Sequence, residues 1–179
     1  MGSGNSFINI QAVEDFPQAH TAFVYGVTGV ENWSLSAGGG KDILNVAVSG
    51  SKKDTFSSTG IQGGTYDMGA GNDVANVTVL NLSGTGESVG ITGVSKFDLG
   101  AGDDVASNRD AISNAKIDLG DGDDALFAKS SAGNSADLYK VNVNLGKGDD
   151  YAEVRVAIQS TLDGGEGYDI LMLRDDKST

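Results

Sequence analysis

The chain has 179 residues, including 27 glycines, a single proline and no cysteine. Without cysteine, disulfides, thiolate metal sites and cysteine nucleophiles are excluded. The formal net charge of −13 argues against a nucleic-acid partner, because an acidic surface repels phosphates. No apolar run reaches the roughly 20 residues of a membrane-spanning helix, so no transmembrane segment is expected.

The N-terminal residues 1–30 are the least regular part of the sequence. They are predicted to form an irregular strand and cap that cover the first repeat. Within them, residues 1–4 read Met-Gly-Ser-Gly and resemble a remnant of cloning. Residues 31–179 are predicted to form one repetitive domain, a length that suits a single folding unit.

Six segments read Gly-x-Gly-x-Asp and are followed by apolar residues. They recur every 19 to 31 residues and begin at Gly38, Gly69, Gly100, Gly120, Gly146 and Gly165. An internal repeat of this length decides the architecture, because each unit forms one structural element that stacks on the next. Glycines at fixed positions predict tight turns that need positive φ angles.

Apolar and polar residues alternate on both sides of each turn. Seven residues before the turn aspartate, the units have Leu35, Tyr66, Phe97, Ile117, Val143 and Leu162. Two residues after it, they have Leu44, Ala75, Ala106, Leu126, Ala152 and Leu171. Such alternation is typical of β-strands, and columns that recur at one phase favour stacked coils over hairpins. The predicted fold is therefore all-β: a right-handed, β-roll-like parallel β-solenoid with about six coils and one Gly-x-Gly-x-Asp edge.

The repeat also places one carboxylate at the same position in every coil. These carboxylates belong to Asp42, Asp73, Asp104, Asp124, Asp150 and Asp169. In a column at the rung spacing of about 4.8 Å they repel one another unless cations lie between them. Calcium suits such a site because it accepts six to eight hard oxygen ligands in flexible geometry, whereas zinc prefers His or Cys and magnesium a strict octahedron.

The predicted calcium ligands are these six carboxylates and the backbone carbonyls of the turns. The turn carbonyls lie around Gly69, Gly71, Gly100, Gly102, Gly120, Gly122, Gly146, Gly148, Gly165 and Gly167. Since each ion would lie between two successive turns, about five calcium ions are expected. The alternative is a column of Asx-type turns without metal, which leaves the repulsion between carboxylates unrelieved.

The six turns resemble the calcium-binding nonapeptide Gly-Gly-x-Gly-x-Asp-x-apolar-x of the RTX, or hemolysin-type, repeat proteins. Residues 164–172 fit that pattern completely, and the other five units replace its first glycine with Ala37, Met68, Leu99, Leu119 and Leu145. The resemblance covers roughly residues 36–175. It implies a calcium β-roll in a protein exported by a type I system, the family of toxins, proteases, lipases, epimerases and adhesins. The unequal unit lengths depart from a two-edged roll and favour a solenoid with one calcium edge.

No constellation of residues indicates catalysis, and the chain is not expected to be an enzyme. Histidine occurs once. Aspartate pairs such as Asp103-Asp104 resemble acid/base dyads, but they recur in register and are interpreted as structural. A β-helix polysaccharide lyase is the least favoured function, because the chain shows no non-repeating acidic and basic constellation.

Four successive units carry a base five residues after the turn aspartate. They form a column, here called the basic column, of Arg109, Lys129, Arg155 and Arg174. This strand face has two interpretations: a binding face for an anionic polysaccharide, or charge balance against the acidic columns. The predicted function is a calcium-dependent structural repeat module of a secreted or bacterial cell-surface protein, such as an adhesin. The alternative is a carbohydrate-binding module that uses the basic column.

The last repeat ends in the apolar strand Ile170-Leu171-Met172-Leu173, followed by charged residues. This pattern predicts an open last rung. Three explanations stay open: the neighbouring coil of a longer chain follows, the charges alone protect the edge, or the edge pairs with another chain.

Overall fold

The computed structural model describes residues 4, 7–13, 28–49, 58–80, 88–130 and 136–174. Within these ranges every regular element is a β-strand. In chain order the strands are β1 (Phe7–Val13), β2 (Thr28–Glu31), β3 (Ser34–Ser36), β4 (Ile43–Ser49), β5 (Ser58–Gln62), β6 (Thr65–Asp67), β7 (Val74–Leu80), β8 (Ser88–Thr92), β9 (Lys96–Asp98), β10 (Val105–Asn108), β11 (Ala111–Ser113), β12 (Lys116–Asp118), β13 (Ala125–Ala128), β14 (Leu138–Tyr139), β15 (Asn142–Asn144), β16 (Tyr151–Val154), β17 (Ala157–Ile158), β18 (Thr161–Asp163) and β19 (Ile170–Leu173).

The strands form three parallel sheets, which the chain visits in a fixed order. Sheet A has the order β1-β4-β7-β10-β13-β16-β19, sheet B the order β2-β5-β8-β11-β14-β17, and sheet C the order β3-β6-β9-β12-β15-β18. Equivalent residues of successive units pair directly, as Ile43 does with Val74. The described chain is therefore a three-sided parallel β-solenoid. The predicted all-β parallel solenoid is confirmed, and its right-handed sense stays a prediction.

The core lies inside the three sheets and consists of apolar columns. Along β4, inward residues Leu44, Val46 and Val48 are at most 2% exposed and alternate with outward ones. Sheets B and C contribute the buried columns Val30, Ile61, Ile91, Ile112 and Leu138, and Tyr66, Phe97, Ile117 and Val143. The rings of Tyr66 and Phe97 stack at 5.2 Å between centroids. Because like residues lie on like residues, one repeat unit packs against the next along the whole stack.

Three corners join the sheets, and each has its own chemistry. The corner from sheet C to sheet A contains the Gly-x-Gly-x-Asp turns. The corner from sheet A to sheet B accounts for most of the difference between long and short units, because the connection is residues 50–57 in one coil and only 109–110 in another. The corner from sheet B to sheet C places one residue of each coil in the left-handed region, with φ between 50° and 66°: Asn32, Gly63, Gly93, Asn114, Lys140 and Gln159.

The two ends of the described stack differ from its middle. Strand β1, within the segment expected to be an irregular strand and cap, pairs in register with β4 as the first rung of sheet A. In the last rung, Leu171 and Leu173 are 48% and 63% exposed, whereas their equivalents Ala152 and Val154 are fully buried. The inward side chains of the last rung are therefore covered from one side only by the described residues.

Candidate functional site

The C-to-A corners stack into a continuous column of glycine turns. The second residue of each turn forms an isolated parallel bridge with its equivalent in the next coil: Gly39, Ala70, Ala101, Asp121, Lys147 and Glu166. Gly69 has a φ of 100°, and a Cβ on it would overlap the carbonyl oxygen of Gly38. Glycine is therefore needed here both for its backbone conformation and for the close approach of successive coils.

The turn aspartates point into the solenoid and form what we call the inner carboxylate column, Asp42, Asp73, Asp104, Asp124, Asp150 and Asp169. The first five are at most 2% exposed. Each Oδ1 from Asp73 onward accepts the backbone N–H of the turn aspartate in the preceding coil, over 2.7 to 3.1 Å. The structure thus brings all six predicted ligands into one column and fixes each of the last five by one hydrogen bond.

In the middle of the described stack, the second carboxylate oxygen, Oδ2, accepts no such hydrogen bond. The Oδ2 atoms of Asp73, Asp104, Asp124 and Asp150 are buried and accept no hydrogen bond from the described residues. A buried charge without a partner is unfavourable, and the protein environment favours its neutral form. The inner carboxylate column therefore presents oxygens that lack a positive partner within the described chain.

Burial raises the pKa of four carboxyls in the inner carboxylate column. Desolvation is the main reason that the pKa of Asp104 and that of Asp124 are raised to about 7. Desolvation likewise raises the pKa of Asp73 and Asp150, while the N–H donated by the preceding coil's aspartate lowers it. Repulsion from the neighbouring aspartates adds to the upward shift. Near neutral pH, the carboxyls of Asp104 and Asp124 are therefore easily neutralised by a proton or a metal cation.

A second ladder lies on the outside of the same corner. The residues before the turn aspartates, Asn72, Asp103, Asp123 and Asp149, form this outer ladder. The Oδ1 of each accepts the backbone N–H of its equivalent in the following coil, as Asp123 does from Asp149 over 2.9 Å. The outer ladder therefore runs in the direction opposite to that of the inner column. Both members of an Asp-Asp pair hold successive turns together, but only the inner member is buried.

The oxygen donors of the corner are of the chemical type that calcium prefers. Within the described ranges, no group of three or more His, Cys, Asp or Glu side chains is placed to hold a metal ion. Two successive inner carboxylates border each gap, so backbone carbonyls would supply most of the other ligands. The Gly69 carbonyl, for example, accepts the Ala101 N–H over 2.9 Å and retains a second lone pair. These are hard oxygen donors with negative charge, as calcium prefers.

The basic column is in register on sheet A, but its members differ. Arg109 and Lys129 are exposed. The Arg155 guanidinium forms an ion pair with buried Asp137 at 2.9 Å, and it donates to the carbonyl of Ser130. Arg174 forms an ion pair with Glu153 at 3.1 Å. The structure therefore places the four bases in one row and pairs two of them with carboxylates.

Two buried aspartates at the A-to-B corner were not singled out from the sequence. Asp110 accepts the Val79 N–H at 2.9 Å, and Asp137 accepts the N–H groups of Ser130 and Arg155, both at 2.6 Å. Asp110 lies where the chain turns directly into sheet B, whereas Asp137 is the last residue of the nine-residue connection 129–137. Their spacing from the glycine turns differs, so periodicity gave no signal. For Asp110, an aspartate two residues after a shortened strand was the available clue.

A shallow groove of about 480 Å³ lies on the outer face of sheet C. It extends over four coils, and its polar lining includes Lys96, Lys116, Asp118, Asn142, Asn144 and Asp163. Lys96 forms an ion pair with Asp98, whereas no ion pair to Lys116 occurs in the described part of the chain. The groove therefore offers hydrogen-bond donors and acceptors of both charges along the solenoid axis.

No protein-family model matches the chain, and comparisons with curated proteins and with solved structures give no match. In the part of the chain that the structure describes, no helix has the length and apolar character required to cross a membrane. Fold and site together define a three-sided parallel β-solenoid with an acidic, glycine-rich corner. The geometry of that corner is the basis for inferring function.

Proposed function

We propose that this chain is a calcium-dependent structural repeat module of a secreted or cell-surface protein, such as an adhesin, and that its coils fold on binding calcium. The observation that carries the proposal is the inner carboxylate column. Four of its buried Oδ2 atoms accept no hydrogen bond from the described residues. Leaving a buried acceptor unpaired costs about 1–3 kcal/mol, and more for a charged one. A cation between the coils would remove that cost.

The aspartates and the glycines of the corner would have different roles in holding such an ion. Oδ1 of each turn aspartate from Asp73 onward is held by a backbone N–H, so its Oδ2 is oriented and available. The glycines allow the turn carbonyls of successive coils to approach one another. Calcium, when bound, supplies positive charge between rungs that otherwise repel. About five ions would bring the formal charge from −13 to about −3.

An extracellular setting fits this chemistry. Extracellular calcium modules bind with dissociation constants of about 10⁻⁴–10⁻³ M, which weak sites with few carboxylates can meet. The chain has no cysteine, and a metal that binds only the folded state stabilises a secreted fold as a disulfide otherwise does. The resemblance of residues 164–172 to the RTX nonapeptide supports the same setting.

Calcium titration tests the proposal. Chelator-treated protein is titrated with calcium while far-UV circular dichroism and the melting temperature are recorded, with magnesium as the matched control. We expect β-structure and melting temperature to rise with calcium, since each site contributes roughly 2.7 kcal/mol at 100 times its dissociation constant. Magnesium should have a much smaller effect, because it gives up its water ligands reluctantly. A native β spectrum and melting temperature that ignore chelation would falsify the proposal.

A second candidate function is glycan binding, favoured by the groove on sheet C. Its ammonium, amide and carboxylate groups can bond to hydroxyls, which both donate and accept. Calorimetry with polygalacturonate and dextran as anionic and neutral probes tests it. Loss of affinity in Lys116→Ala would locate binding in the groove, and loss in Lys129→Ala would locate it on the basic column. Absence of heat with both probes would count against this candidate and leave the calcium proposal intact.

A further inference from the structure

The outer face of sheet A carries an apolar column along the whole solenoid. Directly after the turn aspartates stand Ile43, Val74, Val105, Ala125, Tyr151 and Ile170, and Phe7 takes the equivalent position in β1. Phe7 and Ile170 are 66% and 48% exposed. Two residues further along, Phe127 is 38% exposed, and its ring lies 5.7 Å from that of Tyr151. The five residues of the column between Phe7 and Ile170 are half-buried. A stripe of apolar side chains that reaches solvent in this way is typical of an interaction surface.

Opposite charges border this stripe in the same coils. On one side are Asp103, Asp123 and Asp149 of the outer ladder, all exposed. On the other side are Arg109, Lys129 and Arg155, each six residues after the acid of its own coil. Arg109 and Lys129 form no ion pair within the described ranges. Across β10 and β13 the order is therefore acid, centre, exposed base, with Val105 and Ser107 or Ala125 and Phe127 in the centre, and acid and base are about 20 Å apart. In the third strand Glu153 stands in the centre and the Arg155 guanidinium is held by Asp137.

This order makes the face complementary to itself. A twofold axis parallel to the solenoid axis turns one sheet A onto another with strands antiparallel and coils level. The acid of each coil then faces the base of the same coil in a second copy. A twofold axis along the strands would instead place acid on acid. An isologous interface needs such a self-complementary patch.

The centre of the face matches as well under the same symmetry. The column directly after the turn aspartates faces the column two residues further along. Ala125 is then opposite Phe127 of the second copy, so a small side chain meets a large one. Tyr151 is opposite Glu153, which already accepts a hydrogen bond from the Tyr151 hydroxyl of its own chain over 3.3 Å. Since the facing column is polar at Asn45, Asn76 and Ser107, the apolar contact is centred on β13. Seven strands at about 4.8 Å spacing give a face of roughly 30 by 20 Å, or about 600 Å², at the lower end of the roughly 600–1,000 Å² per partner of stable interfaces.

We infer that this chain forms a symmetric homodimer through the outer face of sheet A, with Asp103 and Asp123 of one copy against Arg109 and Lys129 of the other. The inference does not require a bound ion, but Asp103 and Asp123 belong to the turns of the calcium corner, so its test is made at one calcium concentration. It assigns Arg109 and Lys129 of the basic column to a protein interface rather than to a polysaccharide.

Two charge-matched variants test the dimer. An all-acidic face is made by Arg109→Glu with Lys129→Glu, and an all-basic face by Asp103→Lys with Asp123→Lys. A lysine is compatible with the turn, since Lys41 already stands at this position in the first coil. Sedimentation velocity over a concentration series, in one calcium-containing buffer, should show a wild-type dimer. Each variant alone should dissociate at least tenfold more readily, and their equimolar mixture should form a heterodimer.

Further measurements separate the interface from folding. Circular dichroism of each variant should match the wild type, and Lys116→Glu on sheet C should leave the dimer unchanged. Phe127→Ser removes an exposed ring without touching the charges and should also weaken association at least tenfold. A wild-type monomer at every concentration would overturn the inference. So would a mixture of the two charge variants that stays monomeric while both are folded, or dimerisation that is lost in Lys116→Glu.

Discussion

Glycine is needed at the C-to-A corner for two reasons: its positive φ angle and the close contact between successive coils. Comparison with a glycine of the B-to-C corner separates the two. Gly100 has a φ of 105°, and a Cβ there would overlap the carbonyl oxygen of Gly69. Gly93 also has a positive φ, 66°, but the nearest atom to a Cβ there is 3.8 Å away. The positive φ angle therefore favours glycine at both positions, whereas contact between coils requires glycine only at Gly100.

Alanine at the two positions should therefore differ in cost. We expect Gly93→Ala to lose about 1 kcal/mol of stability, the usual penalty of a left-handed alanine. Gly100→Ala should lose at least about 3 kcal/mol or fail to fold, because two backbones must move apart. Urea unfolding with calcium present measures both losses. Equal losses would mean that the close approach of coils at this corner is not a constraint.

The two roles of a turn aspartate can be separated by an asparagine. Asp104→Asn keeps an oxygen that accepts the Asp73 N–H but removes the charge. In chelator, this variant should be at least as stable as the wild type, since a buried charge is gone. With calcium, it should bind about two fewer ions, because Asp104 borders two gaps, whereas Asp169→Asn borders one gap of the described stack. Equilibrium dialysis counts the ions, and equal losses would contradict a single column of sites.

At the level of elements, buried polar groups join the A-to-B corner of one coil to that of the next. Asp137 is fully buried and joins β16 to the A-to-B corner by accepting N–H groups of Ser130 and Arg155. The Arg155 side chain is 15% exposed and compensates its charge. Arg155 begins the two-residue connection 155–156, and its pair with Asp137 joins this short corner to the nine-residue connection 129–137 of the preceding coil.

Removing only the cation of the Asp137–Arg155 ion pair should lower the stability of the protein strongly. Arg155→Met leaves the Asp137 carboxylate buried without a cation, and we expect a loss of about 3–5 kcal/mol. Arg174→Met is the matched control, because its ion pair with Glu153 is on the surface and should be worth less than about 1 kcal/mol. Thermal unfolding of both variants provides the comparison. Similar small losses would show that Arg155 does not stabilise the corner.

At the level of the whole molecule, stability should depend on pH in opposite ways with and without calcium. The folded-state pKa of Asp104 and Asp124 is about 7, above the ordinary value of 3.8. An acid whose pKa is raised by folding contributes stability that is fully present below its unfolded pKa and lost as pH rises through its folded pKa. Without calcium, the fold is therefore most stable in acid.

In chelator, the melting temperature should rise as pH falls from 8 to 5, by an amount on the order of 5 °C or more. The increment that calcium adds should shrink over the same range, because protons compete for the carboxylates. Differential scanning calorimetry with calcium and with chelator measures both trends. The Asp104→Asn variant is the control, since one titrating group is missing and its pH dependence should be weaker. A chelated protein that is less stable at pH 5 than at pH 8 would contradict the buried column.

Most of the coil could be predicted from the sequence, because the solenoid repeats a local pattern. The alternation around Asp73 or Asp104 identifies inward and outward positions, and the fixed distance from the glycines aligns successive units. Parallel stacking followed because like residues recur at one phase, and the six turn aspartates were grouped correctly into one column. These features depend on spacing within one unit, which the sequence contains directly.

The rest depended on contacts between units of unequal length. Periodicity did not identify the left-handed corner, although Asn32, Gly63, Gly93 and Asn114 are of the types that favour this conformation; Lys140 and Gln159, which adopt it as well, give no such signal. Nor did it predict that Asp110 and Asp137 are buried, or that the inner and outer ladders run in opposite directions. The sequence by itself determined the columns, since periodicity is local. The tertiary structure decided which groups within a column are buried and bonded, because burial is a property of two coils in contact.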